Sequence, residues 1–427
     1  LNLEELLAFA RRLGKEVKDV GLVPRERAVT MHSMHNRDKV LLFRLEDLSD
    51  FVIYSNLVTS RRDVQRLVNA GTLEESYYAL DRAMSSPTEL QKVAFYEYFE
   101  DTSWQLSDLP FLKFYGEDGG YYLTSSIYIA CYESICNASY HRTMYLSPRK
   151  ATLRIVPRHL HYIITKHFER GRDAPVALVL GVDPLQELAA ALSPPLGVFE
   201  VSVGAALGGS KQVAETPLYR IPVPASASVV VEGTISRNEK AVEGPFTDML
   251  LLLDEAREQP VFNVEAIYTS KSKPPVVHAI VPGLWEHQLL MGFPREAQIY
   301  IEVKRVVPCA EAVRLTEGGA MWLHAVVVVG EKCSEGDARL AALAAISAHP
   351  SVKHVLVVDS DIDPDNPLLL EWAIATRLKA GEDLIVLKNV RGSTLEPRAK
   401  NGIGDKLVLI AIKPRKEDPL KYKRVAV

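Results

Sequence analysis

No apolar run in this chain is longer than a β-strand. The longest, AVVVVG after His324, falls far short of the ~20 residues a membrane-spanning helix needs. The core must therefore be assembled from many short elements, and their order along the chain decides the fold. Over the first hundred residues helical periods and strands mix. Leu3, Leu6, Leu7 and Ala10 share one helical face, with charges opposite. Charge within its first turns argues against a signal segment. VLLFRLE (40–46) and FVIYSN (51–56) read as strands, RRDVQRLVNA and TELQKVAFYEYF as helices. The turn-rich stretch SDLPFLKFYGEDGGYY marks a boundary near Asp118-Gly119-Gly120.

From Tyr121 to Gly292 strand-like runs dominate: YYLTSSIYIAC, TLRIV, VALVLGV, SASVVVEGTI, PVFNVEAIYTS and VVHAIVPG. One helix, DPLQELAAAL, interrupts them. Many strands at short spacing predict a barrel or sandwich. From Ile299 the pattern alternates. IYIEVKRVV, WLHAVVVVGE, VKHVLVVDSDID and DLIVLKNV read as strands, EGDARLAALAAISA and PLLLEWAIATRL as helices. Strand-helix-strand units predict a mostly parallel sheet. The expected fold class is α/β (α+β, multidomain), with domains at 1–115, 116–297 and 298–427. Hydrophobic content of 47% and charged content of 24% are ordinary for a soluble protein. A net charge of −4 offers no global field for nucleic acid. Cys131, Cys136, Cys309 and Cys333 are too scattered for a disulfide framework and form no C-x-x-C pair. A reducing, cytoplasmic setting is the expectation.

Four short segments could carry chemistry. EGPFTDM places Glu243 and Asp248 on either side of a Gly-Pro turn. Two carboxylates in a confined site push their pKa values apart, leaving one able to hold a proton at neutral pH. A solvated loop with two unrelated acids is the alternative. ICNASYHRTM carries Asn137 and Arg142. Arginine can hold a neighbouring glutamate ionised, and an amide oxygen suits Mg2+ or Mn2+. It could equally be a polar strand end. VPRHLHYII carries Arg158, His159 and His161. On a strand the two histidines would share a face, as metal ligands or as structural residues. GVFEVSVGAALGGS carries Glu200 among apolar neighbours, where an unpaired carboxylate is expensive to bury. GAALGGS matches neither the P-loop nor the dinucleotide pattern.

Taken in order, these segments say more. N-x-x-x-x-R, R-H, F-E followed by G-A-A-L-G-G, V-P-A-S-A, V-E-G and E-G-P-F-x-D together closely resemble the UbiD decarboxylase family. GVDPLQELAA, VKHVLVVDSDIDPDN with EWAIATR, and GDKLVLIAIKP extend the resemblance over roughly residues 110–415. It implies a central split-barrel flavin-binding domain and a C-terminal oligomerisation domain. It implies Arg142, Glu243 and Asp248 as the catalytic triad, with Asp248 the proton donor. Asn137, His159 and Glu200 would be the metal ligands, for Mn2+ (or Mg2+), with K+ often nearby. Tyr140, His141, Arg142, Arg154, Arg158 and Lys406 would surround the cofactor, Lys406 at its phosphate. That cofactor is prenylated FMN. Decarboxylation leaves an electron pair that side chains cannot absorb, so a cofactor must supply the sink.

The resemblance also implies the partners. These are a flavin prenyltransferase as cofactor supplier, further copies of this chain in a dimer or hexamer, and a small α,β-unsaturated acid as substrate. Short archaeal members favour trans-anhydromevalonate 5-phosphate, giving isopentenyl phosphate and CO2, over an aromatic acid of the 4-hydroxybenzoate kind. A non-catalytic flavin carrier or assembly subunit would have no use for the triad. Three positions depart from the family pattern: Ser139 and His141 replace its Gly and Tyr, and Ser228 its Glu. His141 with Arg149 and Lys150 would make a basic entrance fit for a phosphate, or else a solvated turn.

Overall fold

A computed structural model describes residues 1–425. The chain divides into two compact units, Leu1–His287 and the remainder from Gln288. Among the described residues no helix is long and apolar enough to cross a membrane.

The first unit opens with helix Leu3–Leu13. Asn2 and Glu5 form its capping box and left-handed Gly14 ends it. A four-stranded sheet follows, ordered Glu16–Val23, Lys39–Leu45, Leu48–Ser55, Val276–His278. Its last strand arrives from the far end of the unit and pairs in parallel with Val52–Tyr54. The return is fastened by a buried ionic cluster. Tyr54 stacks on His278 at 4.4 Å. The His278 ring reaches Glu187 at 2.7 Å and Glu286 at 3.1 Å. Glu286 also accepts the backbone N–H groups of Asn56 and Val58. Burial alone would strip the His278 proton, but the two carboxylates outweigh it and push the pKa up to about 10.

The central sheet has nine strands among the described residues, and every pairing is antiparallel. Its spine is Val229–Glu243 against Arg257–Ser270. Ala174–Leu180, Ile127–Tyr132 and Ile135–Tyr140 extend it one way; Lys150–Leu153, Thr143–Ser147 and Tyr122–Leu123 extend it the other. The sheet is open rather than a closed barrel. Both faces are covered. Val229, Val231 and Ile235 pack with Leu160 and Ile163 of helix His159–Glu169. Val230, Val179 and Tyr268 pack with Ala190 and Val201 of helices Pro184–Ala191 and Glu200–Ala206. Burial on both faces explains why these strands read as continuous apolar runs.

The second unit holds a five-stranded sheet ordered Ala310–Leu315, His324–Val329, His354–Asp359, Ile403–Ala411, Leu384–Arg391. Its two middle pairings are parallel and its two edge pairings antiparallel. The expected mostly parallel sheet is therefore evenly mixed, since strands joined by a direct loop can pair antiparallel without a crossover helix.

Several local expectations are overturned. IYIEVKRVV is not a strand but the end of helix Trp285–Val306. Leu289, Phe293, Tyr300 and Val303 are buried along it, and this helical period outweighs the β-branched composition. TELQKVAFYEYF is not one helix. Gln91–Val93 pairs with Gln212–Glu215 as a strand, and only Phe95–Tyr98 is helical. VPRHLHYII is a helix start, so His159 and His161 do not share a strand face. The four cysteines are paired as Cys131–Cys136 and Cys309–Cys333. The first pair faces itself across a hairpin, a proximity that a search for C-x-x-C spacing cannot see.

Candidate active site

The ends of strands Ile135–Tyr140 and Val229–Glu243 and the segments that follow them build the site. Ile135–Tyr140 ends at His141-Arg142, and Thr143–Ser147 begins directly after. Glu243 is the last residue of the long strand Val229–Glu243. Left-handed Gly244, at φ +95°, then turns the chain. A side chain at Gly119 would collide with the Gly244 carbonyl, 2.3 Å from its ideal Cβ. Glycine is thus required on both sides of the close approach. Beyond the turn, Phe246–Thr247 pairs with Leu253–Asp254 as a short hairpin. Asp248 stands at the start of its loop.

Arg142 is the centre of this arrangement. Its Nε and Nη2 donate to the two Glu243 oxygens at 2.8 and 2.9 Å, a bidentate pair with Glu243 fully buried. Nη2 also donates to Asp254 Oδ2 at 2.7 Å, and the guanidinium lies over the Phe246 ring at 4.6 Å. Burial opposes the Arg142 charge, but Glu243 and Asp254 outweigh it and raise its pKa further. Asp248 is almost completely buried. Its Oδ1 accepts the N–H groups of Leu250 and Leu252 at 2.8 and 3.0 Å. Burial raises its pKa, the Asp254 charge adds to the rise, and the two backbone bonds and Arg142 oppose it. An acid raised in this way keeps a proton for transfer at a pH where an exposed aspartate has lost it.

The expected metal ligands meet at strand Ile135–Tyr140. Glu200, the first residue of its helix, is buried. It accepts Asn137 Nδ2 at 2.6 Å and the Ala138 N–H at 2.7 Å. His159 Nδ1 lies 4.0 Å from Glu200 Oε1. Among the described residues no group of three or more His, Cys, Asp and Glu is gathered for a metal. An ion here would need the Asn137 amide as its third protein donor, and carboxylate, imidazole and amide oxygen make a set that Mn2+ accepts. Nearby, Thr124 Oγ1, Ser125 Oγ and Tyr140 Oη are buried without a hydrogen-bond partner. They flank the pairing of Ile127 with Tyr140. Unpaired buried hydroxyls are costly, about 1–3 kcal/mol each, so each of these groups fits a polar partner.

Other expected residues are placed differently. His141 is no basic entrance. Its ring is buried, contacting the Arg154 carbonyl at 2.8 Å and Ser139 Oγ at 3.0 Å, and burial pushes its pKa down to about 4. Lys150 pairs with Glu239, and Arg149 is exposed. Ser228 Oγ accepts the Val276 N–H, tying two strands where the family pattern has a glutamate. Arg154 follows strand Lys150–Leu153, and its backbone N–H meets the Arg142 carbonyl at 3.3 Å. Arg158 caps the helix that begins at His159. Lys406, in the second unit, is buried, with Nζ on the carbonyls of Pro350 and Val352. Burial lowers its pKa to about 8.

Sequence reasoning missed two groups around Arg142. Asp254 breaks the leucine run, and its spacing of three from Arg257 was the available signal. His287, half-buried, accepts the Gly283 N–H on Nδ1 at 3.1 Å. Burial, with Arg142 nearby, lowers its pKa to about 4.

The family models account for most of the chain. Residues 88–285 match the 3-octaprenyl-4-hydroxybenzoate carboxy-lyase Rift-related domain, and 288–411 match the C-terminal domain of the same enzyme. A protein named anhydromevalonate phosphate decarboxylase, from Aeropyrum pernix, is 44% identical over 375 residues, 88% of this chain and 84% of that one. The UbiD-class enzyme HmfF from Pelotomaculum thermopropionicum, in complex with FMN, superposes with a TM-score of 0.93 at 31% identity, covering 100% of this chain and 97% of that one. An evolved dimeric form of HmfF, in complex with prFMN, gives 0.89 at 30% identity, covering 100% and 97%. Likeness of this extent reaches both units of the fold as well as the residues around Arg142, and it makes the chain a decarboxylase belonging to the UbiD family.

Proposed function

We propose that this protein decarboxylates trans-anhydromevalonate 5-phosphate to isopentenyl phosphate and CO2, using prenylated FMN and Mn2+ (or Mg2+). The observation that carries the reading is the pairing of Arg142 with Glu243 beside a buried Asp248 whose pKa is raised. The choice of substrate rests on the 44% identity to the Aeropyrum pernix protein named for that acid.

The cofactor, when bound, supplies the electron sink that no side chain offers. Asn137, His159 and Glu200 would hold the metal at its phosphate. The Asn137 amide, which now donates to Glu200, would turn its oxygen to the ion. Thr124, Ser125 and Tyr140 would offer their hydroxyls to the cofactor, and Arg154 and Arg158 would complete the surroundings. Glu243 fixes Arg142, so a positive charge of defined orientation faces the reacting acid. Asp248 delivers a proton to the carbon vacated by CO2. Oδ1 is occupied by two backbone N–H groups, so Oδ2 carries that proton. Burial of the Asp248 side chain limits the access of competing water to this transfer.

Within the same reading, a separate flavin prenyltransferase supplies the cofactor and the C-terminal region assembles the oligomer. The same reading places the protein in the cytoplasm. The test is substrate choice. Protein produced alongside a flavin prenyltransferase should release CO2 from trans-anhydromevalonate 5-phosphate and not from 4-hydroxybenzoate. The opposite preference would reject the substrate while leaving the decarboxylase intact.

A further inference from the structure

We propose that Asp254 is a positioning residue of the active site: it shares the Arg142 Nη2 group with Glu243, holds the guanidinium in place and sets the electrostatic field in which Asp248 works. The inference rests on the reading of Asp248 as proton donor.

The geometry is that of a clip. Asp248 sits in a loop closed by pairing of Phe246 with Asp254 and of Thr247 with Leu253. Both arms of this hairpin grip the same guanidinium: Phe246 lies under it at 4.6 Å and Asp254 accepts from it at 2.7 Å. Arg142 is therefore shared between the strand that ends at Glu243 and the far arm of the loop that carries Asp248. Asp254 is held in turn from outside by Arg257, whose two Nη atoms reach its two oxygens at 2.8 and 3.1 Å. Charge balance does not require a second carboxylate on Arg142, because Glu243 already pairs with it bidentately. A second, partly buried carboxylate with its own arginine is costly to assemble, which argues for a role beyond charge balance.

The charges facing Asp248 make that role concrete. Asp254 disfavours its ionised form and Arg142 favours it. Arg142 itself faces Glu243, Asp254 and neutral His287. Arg154 and Arg257 complete the ring of charges around Asp254. Removing the Asp254 charge leaves Arg142 closer to a free cation beside Asp248, so Asp248 ionises at lower pH. Removing the Arg257 charge acts in the opposite sense.

The test is an infrared titration of the full-length protein without added cofactor, following the protonated-carboxyl band that Asp248→Asn abolishes. Asp254→Asn should lower its midpoint by about one pH unit, and Asp254→Glu should restore it. Arg257→Gln should raise it. In the loaded enzyme, the limb on which kcat falls with rising pH should move in the same directions, with kcat at least tenfold lower in Asp254→Asn. If Asp254→Asn does not fold, Arg257→Gln decides alone. A midpoint unmoved by these changes overturns the role of Asp254. Absence of any band that Asp248→Asn removes overturns the donor reading instead.

Discussion

His141 shows how far residue type alone can mislead. Next to Arg149 and Lys150 it looked like part of a basic entrance, yet both ring nitrogens are engaged inside the protein and burial pushes its pKa down to about 4. Charge is a property of the environment, and the sequence lists only the group. We expect the His141 imidazole to stay neutral from pH 8 down to pH 5, read from its ring resonances by NMR; protonation near 6.5 would contradict its placement. Arg142, Glu243 and Asp248 were legible for a different reason. The order of motifs along the chain resembles the family's and singled them out, and in the fold Arg142 pairs with Glu243 while Asp248 is buried. Asp254 and His287 were not legible, because nothing in their local sequence says that they face Arg142. Glu200 makes a second prediction at this scale. It is buried and bonded to both Asn137 and Ala138, so Glu200→Ala should lose metal and flavin together, measured by elemental analysis and absorbance of the purified protein. Stoichiometric metal retained in the variant would refute the ligand assignment.

Elements were legible where one period dominated. Strands Lys39–Leu45, Leu48–Ser55 and His324–Val329 follow their apolar runs. Helix Trp285–Val306 was missed in part because Ile, Tyr and Val satisfy strand and helix patterns equally well over nine residues. Strand Val276–His278 was read correctly, but its partner lies at the other end of the first unit, and pairing at that distance leaves no local mark. The buried cluster it carries makes stability depend on pH. His278 has a folded pKa of about 10, above its ordinary value of 6.5. Its stabilisation is therefore complete below about 6.5 and is lost as pH rises through about 10. Urea midpoints should fall across that window in the wild type and much less in His278→Leu. Removing the imidazolium while both carboxylates remain should cost about 3–5 kcal/mol. A wild-type midpoint flat from pH 6 to 10 would contradict the charged histidine. The Cys309–Cys333 disulfide closes a loop with a sequence separation of 24, worth about 3 kcal/mol by chain entropy. Reductant should lower the melting temperature, and thiol titration of the unreduced, unfolded chain should find no free thiol among the four cysteines.

At the scale of the molecule, the general class was readable and the assembly of its parts was not. Mixed α/β architecture follows from the change in pattern near Tyr121 and again near Ile299. The open form of the nine-stranded sheet does not, because sheet closure depends on which end strands meet. The same distinction applies to function. The order of motifs identifies a decarboxylase, whereas the acid it consumes is decided by the shape and charge of a pocket built from distant segments. The measurement that bears most directly on the chemistry compares wild type with Asp248→Asn, both produced alongside a flavin prenyltransferase. Cofactor loading would be read from absorbance and mass, and turnover from CO2 released. Equal loading with turnover lowered about 10²–10⁴-fold is expected for loss of a general acid. Equal loading with turnover unchanged would remove Asp248 from the reaction.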